Sequence, residues 1–157
     1  MSDTKKWDAI RKAVAKAGAS HVRVGVLQSK GGSATAESGI SMVELAAIHE
    51  FGAPGAGIPE RSFIRSTLRV RKAAELARVQ TKLATAIIEK NMPVKKALGI
   101  LGSWAATECK NTITQTAIPP PLKAATIARK GSDRALVDTG RLLGAISYEV
   151  VEGGEEE

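Results

Sequence analysis

A chain of 157 residues with 43% hydrophobic residues is long enough for one domain with a modest core, and its composition excludes intrinsic disorder. Aromatic residues make up only 3%, so small aliphatic side chains must fill that core, and the net charge of +7 suits an anionic partner. The single cysteine excludes an intrachain disulfide, and no apolar run reaches the ~20 residues of a membrane span.

The start of the chain predicts a helix, a strand and a polar loop in turn. Apolar residues recur at helical spacing over residues 3–17, where Trp7 and Val14 belong to the apolar side of an amphipathic helix. This segment lacks the apolar stretch and cleavage site of a signal peptide, so we expect the protein to stay in the cytoplasm where it is made. The alternating segment 21–27 is typical of a strand, and the Gly/Ser-rich residues 28–40 predict a flexible loop.

A helix start is encoded in the residues that follow this loop. Ser41 and Glu44 have the spacing of a capping box, in which each side chain bonds a backbone N–H of the other residue. The helix that begins there is predicted over residues 43–51 and is expected to end at Gly52. Residues 53–59 are rich in Gly and Pro and predict a turn.

Two long helices are predicted in the middle of the chain. Residues 60–91 carry the longest helical pattern, and Pro93 ends it because proline lacks the N–H that a helix interior needs. A second helix is predicted from Pro93 to about residue 116. Gly99 and Gly102 weaken this helix by about 1 kcal/mol each relative to alanine, and we expect them to permit close packing against a neighbouring helix.

The rest of the sequence, from residue 118 onward, predicts shorter elements. Residues 118–122 (IPPPL) are expected to be extended, and residues 123–130 to form a short basic helix or turn. A last short helix is predicted over 139–145 and a strand over 146–151, followed by a disordered acidic tail at 152–157.

These elements predict a single α+β domain over residues 1–157. We expect its two strands, which are far apart in sequence, to pair in a small antiparallel or mixed sheet that packs against the long helices. A third strand is expected from the region around Val43 or from a loop segment.

The tripeptide Asp138-Thr139-Gly140 matches that of aspartic proteases, which share two carboxylates across a dimer. Only 17 residues follow Gly140, too few for the flap and barrel that come after this tripeptide in a retroviral-type protease. The favoured interpretation is a helix N-cap at Asp138 or Thr139.

Metal and phosphate motifs are incomplete. His49-Glu50 resembles the start of a zinc-protease motif, but Ala53 stands where the second histidine belongs. His21 and Cys109 lie far away in sequence, so we expect no metal site and instead a hydrogen-bonding role for His49 near its helix end. The Gly-rich segment 31–33 lacks the Gly-Lys-Ser/Thr of a phosphate-binding loop. We therefore expect no catalytic residues and no cofactor.

A basic stripe is the strongest candidate for an interaction site. Its members are spaced by four, four and three residues along the predicted long helix: Arg61, Arg65, Arg69 and Lys72. One interpretation is a solvated helix face. The other is contact with phosphates in a DNA channel or with an acidic partner surface, without sequence specificity because no groove-reading motif accompanies the stripe.

Two segments resemble small neck and tail-completion proteins of tailed phages. In that family a helix reading A-x-I-H-E-F-G precedes a turn and then I-P-x-R-x-F-I-R. The matching residues here are Ala47, Ile48, His49, Glu50, Phe51, Gly52, Ile58, Pro59, Arg61, Phe63, Ile64 and Arg65. The family's ending, P-L-x-x-x-T-I-x-x-K and then L-x-D-T-G-x-L-x-x-S-I, is matched by Pro121, Leu122, Thr126, Ile127, Lys130, Leu136, Asp138, Thr139, Gly140, Leu142 and Ile146, with Ala145 in place of the usual serine.

The resemblance implies a structural virion protein of a tailed double-stranded DNA phage. Such a protein assembles in the bacterial cytoplasm as a homo-oligomeric ring, a hexamer or dodecamer, at the neck or tail of the virion. It joins the head-side connector to the tail, leaves a channel for genomic DNA and carries no catalytic residues, so we expect no enzyme. The alternative from the residues alone is a basic nucleic-acid-binding accessory protein, supported by the basic stripe.

Overall fold

The architecture is taken from a computed structural model that describes residues 3–34, 39–131, 136 and 140–153. The principal elements follow in chain order: α1 Asp3–Ala19, β1 His21–Val26, α2 Met42–Phe51, a π-helical segment Ser66–Arg71, α3 Ala73–Lys90, α4 Val94–Gln115, α5 Ala124–Lys130, α6 Arg141–Ala145 and β2 Ile146–Val151. The predicted α+β class is confirmed, because a small sheet packs against helices.

The two strands form an antiparallel pair with a defined register. Val24 lies opposite Tyr148, and Val26 lies opposite Ile146. These side chains share the face that packs on α4 and the core, as the alternation in β1 predicts. The prediction of a third strand is wrong for the described ranges, where the sheet contains only β1 and β2.

The capping box at the start of α2 is confirmed. The Ser41 hydroxyl accepts a hydrogen bond from the Glu44 backbone N–H at 3.2 Å, and the Ser41 backbone N–H donates to the Glu44 carboxylate at 2.8 Å. The helix ends at Gly52, whose φ of 74° favours glycine. A side chain at Gly52 would also meet the backbone of Glu60, so this turn requires glycine for two reasons.

The single long helix predicted over 60–91 is wrong in its first third. Regular α-helix begins only at Ala73, and the segment Ser66–Arg71 before it is π-helical, with the Lys72 N–H donating to the Thr67 carbonyl. The Thr67 hydroxyl donates to the Phe63 carbonyl at 2.6 Å and lies 2.8 Å from the Thr112 hydroxyl. The buried hydrogen bond between Thr67 and Thr112 thus joins the π-helical segment to α4. Sequence periodicity does not reveal the wider π turn that accompanies this bond.

Helix α4 is the centre of the fold. Its small residues Ala97, Ala105 and Cys109 are buried, as is Ile113. The expectation that Gly102 packs against a helix is wrong, since a side chain there would meet Tyr148 and Val22 of the sheet. The glycine therefore lets the sheet approach α4 closely.

The outer helices are only partly covered. Neither α1 nor α3 contains a buried residue among the described side chains. Trp7 is 62% exposed, and Val14, two turns further along α1, is 53% exposed. The apolar side predicted for α1 thus exists but lacks a complete cover by the described residues.

Some predictions fall on parts of the chain that are not described. The proposed N-caps Asp138 and Thr139 lie outside the described residues, as do residues 154–157 of the acidic tail and 35–38 of the loop. Each of the described helices is too short or too polar to cross a bilayer.

Candidate functional site

The helix end at Glu50 and the turn at residues 62–65 meet in one buried joint, which we call the Glu50 joint. One carboxylate oxygen of Glu50 accepts hydrogen bonds from the backbone N–H groups of Phe63 at 2.8 Å and Ile64 at 3.0 Å. The other oxygen accepts from the Arg65 N–H at 2.9 Å and from the Ser62 hydroxyl at 2.8 Å. The carboxylate therefore satisfies N–H groups at the start of the helical run that begins near Arg65, which otherwise lack partners.

Arg65 closes the joint from the outside. Its Nε lies 3.1 Å from the Glu50 carboxylate, while its Nη2 donates to the Glu50 carbonyl at 2.7 Å and to the Glu60 carboxylate at 2.9 Å. The guanidinium also lies over the ring of Phe51, 4.6 Å from its centroid. One side chain thus ties α2 to the turn and to the helix that follows.

The electrostatics of the joint favour a charged Glu50. The residue is only 4% exposed, and this burial by itself raises the pKa of its carboxyl. The hydrogen bonds from Ile64, Arg65, Ser62 and Phe63 outweigh the burial, so the net pKa lies below its ordinary value. An ionised carboxylate at the N-terminus of a helical segment is further stabilised by the aligned peptide dipoles.

Arg61 extends the joint to the second segment of the resemblance. The residue is 7% exposed, its backbone N–H donates to the His49 carbonyl at 2.7 Å, and its Nε donates to the Pro120 carbonyl at 3.0 Å. Arg61 connects α2 to the proline-rich segment between α4 and α5.

The four cations of the predicted basic stripe do not form one exposed row. Arg61 precedes the helical run and is buried, and Arg65 belongs to the Glu50 joint. Lys72 lies 3.0 Å from Glu75 and 3.2 Å from Glu108, and its hydrogen bonds to Glu75 and then Glu108 raise its pKa. Arg69 is exposed and forms no ion pair with any described residue. The structure therefore uses three of the four cations internally.

Clusters that could bind a metal ion are lacking from the described ranges. No cluster of three or more His, Cys, Asp or Glu side chains is present there. His21 is exposed on β1, whereas Cys109 is buried in α4, so the two do not share a site with His49. The protease-like tripeptide lies at residues that the structure leaves undescribed, apart from Gly140.

Cys109 provides a direct probe of this region. It is fully buried, and its burial, followed by the charges of Glu50 and Glu108, raises the pKa of the thiol to about 12 from an ordinary 9.0. Its thiolate population near pH 8 is then about a thousandfold lower than that of a free cysteine. We expect no labelling of the folded protein by a thiol reagent such as DTNB, and stoichiometric labelling in urea. Rapid stoichiometric labelling under native conditions would contradict this burial.

Sequence reasoning missed the role of Glu50, which it treated as half of an incomplete metal motif and as one matching residue of the family resemblance. The usable signal was an acidic residue at a helix end, shortly before the start of a second helical run. No family model, curated protein or solved structure matches the chain. The geometry of the joint holds α2, the turn and the following helical run together.

Proposed function

We propose that the protein is a structural virion component of a tailed phage that assembles as a ring at the head–tail junction. The ring joins the head-side connector to the tail and leaves a channel for DNA. The observation that carries this proposal is the apolar surface left uncovered on the outer elements, namely Trp7 and Val14 on α1 and Val70, 76% exposed, on the π-helical segment. Neighbouring copies in a closed ring would cover such surface.

The Glu50 joint supports the same proposal. Four of its residues belong to the motif that resembles neck and tail-completion proteins, and hydrogen bonds join Glu50 to the other three, Phe63, Ile64 and Arg65. A motif that serves to fix two helices and a turn in one geometry suits a protein whose work is mechanical. It does not require a substrate, a cofactor or a metal.

Assembly and particle composition test the proposal. We expect the purified protein to form rings of six or twelve copies in native mass spectrometry and negative-stain electron microscopy. We also expect mass spectrometry of purified virions to detect the polypeptide. Its absence from mature particles would exclude the proposal, whatever its behaviour in isolation.

The rival function, a basic nucleic-acid-binding accessory protein, is less well supported because Arg61, Arg65 and Lys72 are engaged within the chain. A gel-shift titration of duplex DNA across a salt series separates the two. The ring proposal expects weak binding by the free protein. Tight binding by a monomer, falling steeply as salt is raised, would favour the rival.

A further inference from the structure

The outer edge of β2 borders a groove that no described part of the chain fills. The groove has a volume of about 630 Å³ and runs between residues 146–150 of β2 and the Ser103, Thr107 and Lys110 side of α4. The sheet has two strands, and no described backbone group bonds to the far side of β2. An open strand edge of this kind is a template for an added strand.

Three lysines and one glutamate, Glu149, line the groove, so the net charge of its lining is positive. Lys95 lies toward the end of β2, since its Nζ is 3.4 Å from the Glu152 carboxylate. Helix α4 runs in the direction opposite to β2, because Lys95 is near Glu152 and Gly102 is near Tyr148. Lys110, further along α4, therefore lies toward the start of β2. Lys30 lines the same groove and also borders α6, which leads into β2. An extended segment that enters this groove would need acidic side chains to match these charges.

The chain itself supplies such a segment in residues 152–157, which contain four glutamates and two glycines. The Lys95–Glu152 contact places the first of these glutamates beside a groove lysine. The same chain leaves β2 on the opposite side of the sheet, however. The Gly153 N–H donates to the Ser20 hydroxyl at 3.1 Å, and Gly153 packs against Ala19 at the end of α1, next to β1.

We propose that the groove between β2 and α4 binds the acidic segment 154–157 of a second copy of this chain in extended form. The segment pairs with the outer edge of β2, and its glutamates meet Lys30, Lys95 and Lys110. Because the groove and the segment are different surfaces, each copy can place its segment in the groove of one neighbour and receive the segment of another. A ring requires a head-to-tail contact of this kind. The inference rests on the proposed self-assembly and names the contact that drives it.

Two variants with complementary defects test this contact by sedimentation velocity. The first ends at Gly153 and keeps the groove; the second carries Lys30→Glu with Lys110→Glu and keeps the acidic segment. We expect each alone to self-associate at least about tenfold more weakly than the wild type. Mixed one to one, they should form a heterodimer and nothing larger, because only one productive groove–segment pair is available.

A matched control changes the same charge elsewhere. Lys82→Glu with Lys90→Glu alters two exposed lysines of α3 and should associate like the wild type. Circular dichroism melts confirm that each variant is folded. Wild-type association by either test variant, or failure of the folded pair to form a heterodimer, would overturn the inference.

The outcomes also separate this inference from the proposed function. If the two test variants form a heterodimer but the protein is absent from virions, the groove contact is retained and the neck assignment is excluded. Conversely, if the protein is present in virions and both test variants still form rings, the neck assignment is retained and the groove contact is excluded.

Discussion

Replacing Glu50 with glutamine is expected to lower the free energy of unfolding by about 3–5 kcal/mol. Both carboxylate oxygens accept at least two hydrogen bonds, from the Phe63 and Ile64 N–H groups on one side and from Ser62 and Arg65 on the other. A glutamine must turn its NH₂ group toward one of these sets of donors. Each buried donor that loses its acceptor costs about 1–3 kcal/mol. Urea denaturation followed by circular dichroism measures the change.

The matched control is Glu60→Gln. Glu60 also pairs with Arg65, at 2.9 Å, but its side chain is 55% exposed. An exposed pair of this kind contributes only about 0–1 kcal/mol, so the control should remain close to the wild type. If Glu50→Gln were as stable as Glu60→Gln, the buried joint would not be a main determinant of the fold.

The pH dependence gives a second readout of the same group. The folded pKa of Glu50 is lowered from its ordinary 4.5, so its charged form is favoured by folding. The stabilisation is therefore fully present above pH 4.5 and is lost as the pH falls through the lowered folded value. We expect the stability difference between wild type and Glu50→Gln to shrink over that acid range. A difference that stays constant there would mean that Glu50 does not titrate as this joint requires.

Local signals in the sequence predicted much of the fold. The capping box at Ser41 and Glu44 was recoverable because both partners lie within one helical turn. The alternation in β1 and the apolar pattern of α4 likewise depend on residues close in sequence. These patterns were sufficient for the α+β class and for the two strands of the sheet.

The joint was not recoverable in this way because its partners are separated by a turn. Nothing near residues 62–65 indicates that their N–H groups are bonded by Glu50, a residue on the preceding helix. The contacts made by the basic stripe were likewise not visible in its spacing. Arg61 precedes the helical run, and Arg65 and Lys72 pair with Glu50 and Glu108, which lie on α2 and α4.

A pair of glycine substitutions in α4 separates packing from helix propensity. Gly102→Ala is expected to destabilise the protein by about 1–3 kcal/mol, because the added methyl group would lie 2.7 Å from Val22 Cγ2 and at a similar distance from the Tyr148 ring. Gly99→Ala meets no atom within 4 Å and should instead stabilise the helix by about 0.5–1 kcal/mol. Thermal and urea unfolding of both variants measure the two changes in stability, which should have opposite signs.

A double-mutant cycle identifies the cause of the Gly102 effect. If the sheet must approach α4 closely, removing the aromatic ring with Tyr148→Leu relieves the clash, and Gly102→Ala should cost less in that background. The residues are in contact, so a coupling of about 0.5–3 kcal/mol is expected. Additive effects would mean that the Tyr148 ring is not the group that the added methyl meets. Equal and stabilising effects of alanine at both glycines would show that the close approach of sheet and helix is not needed for this fold.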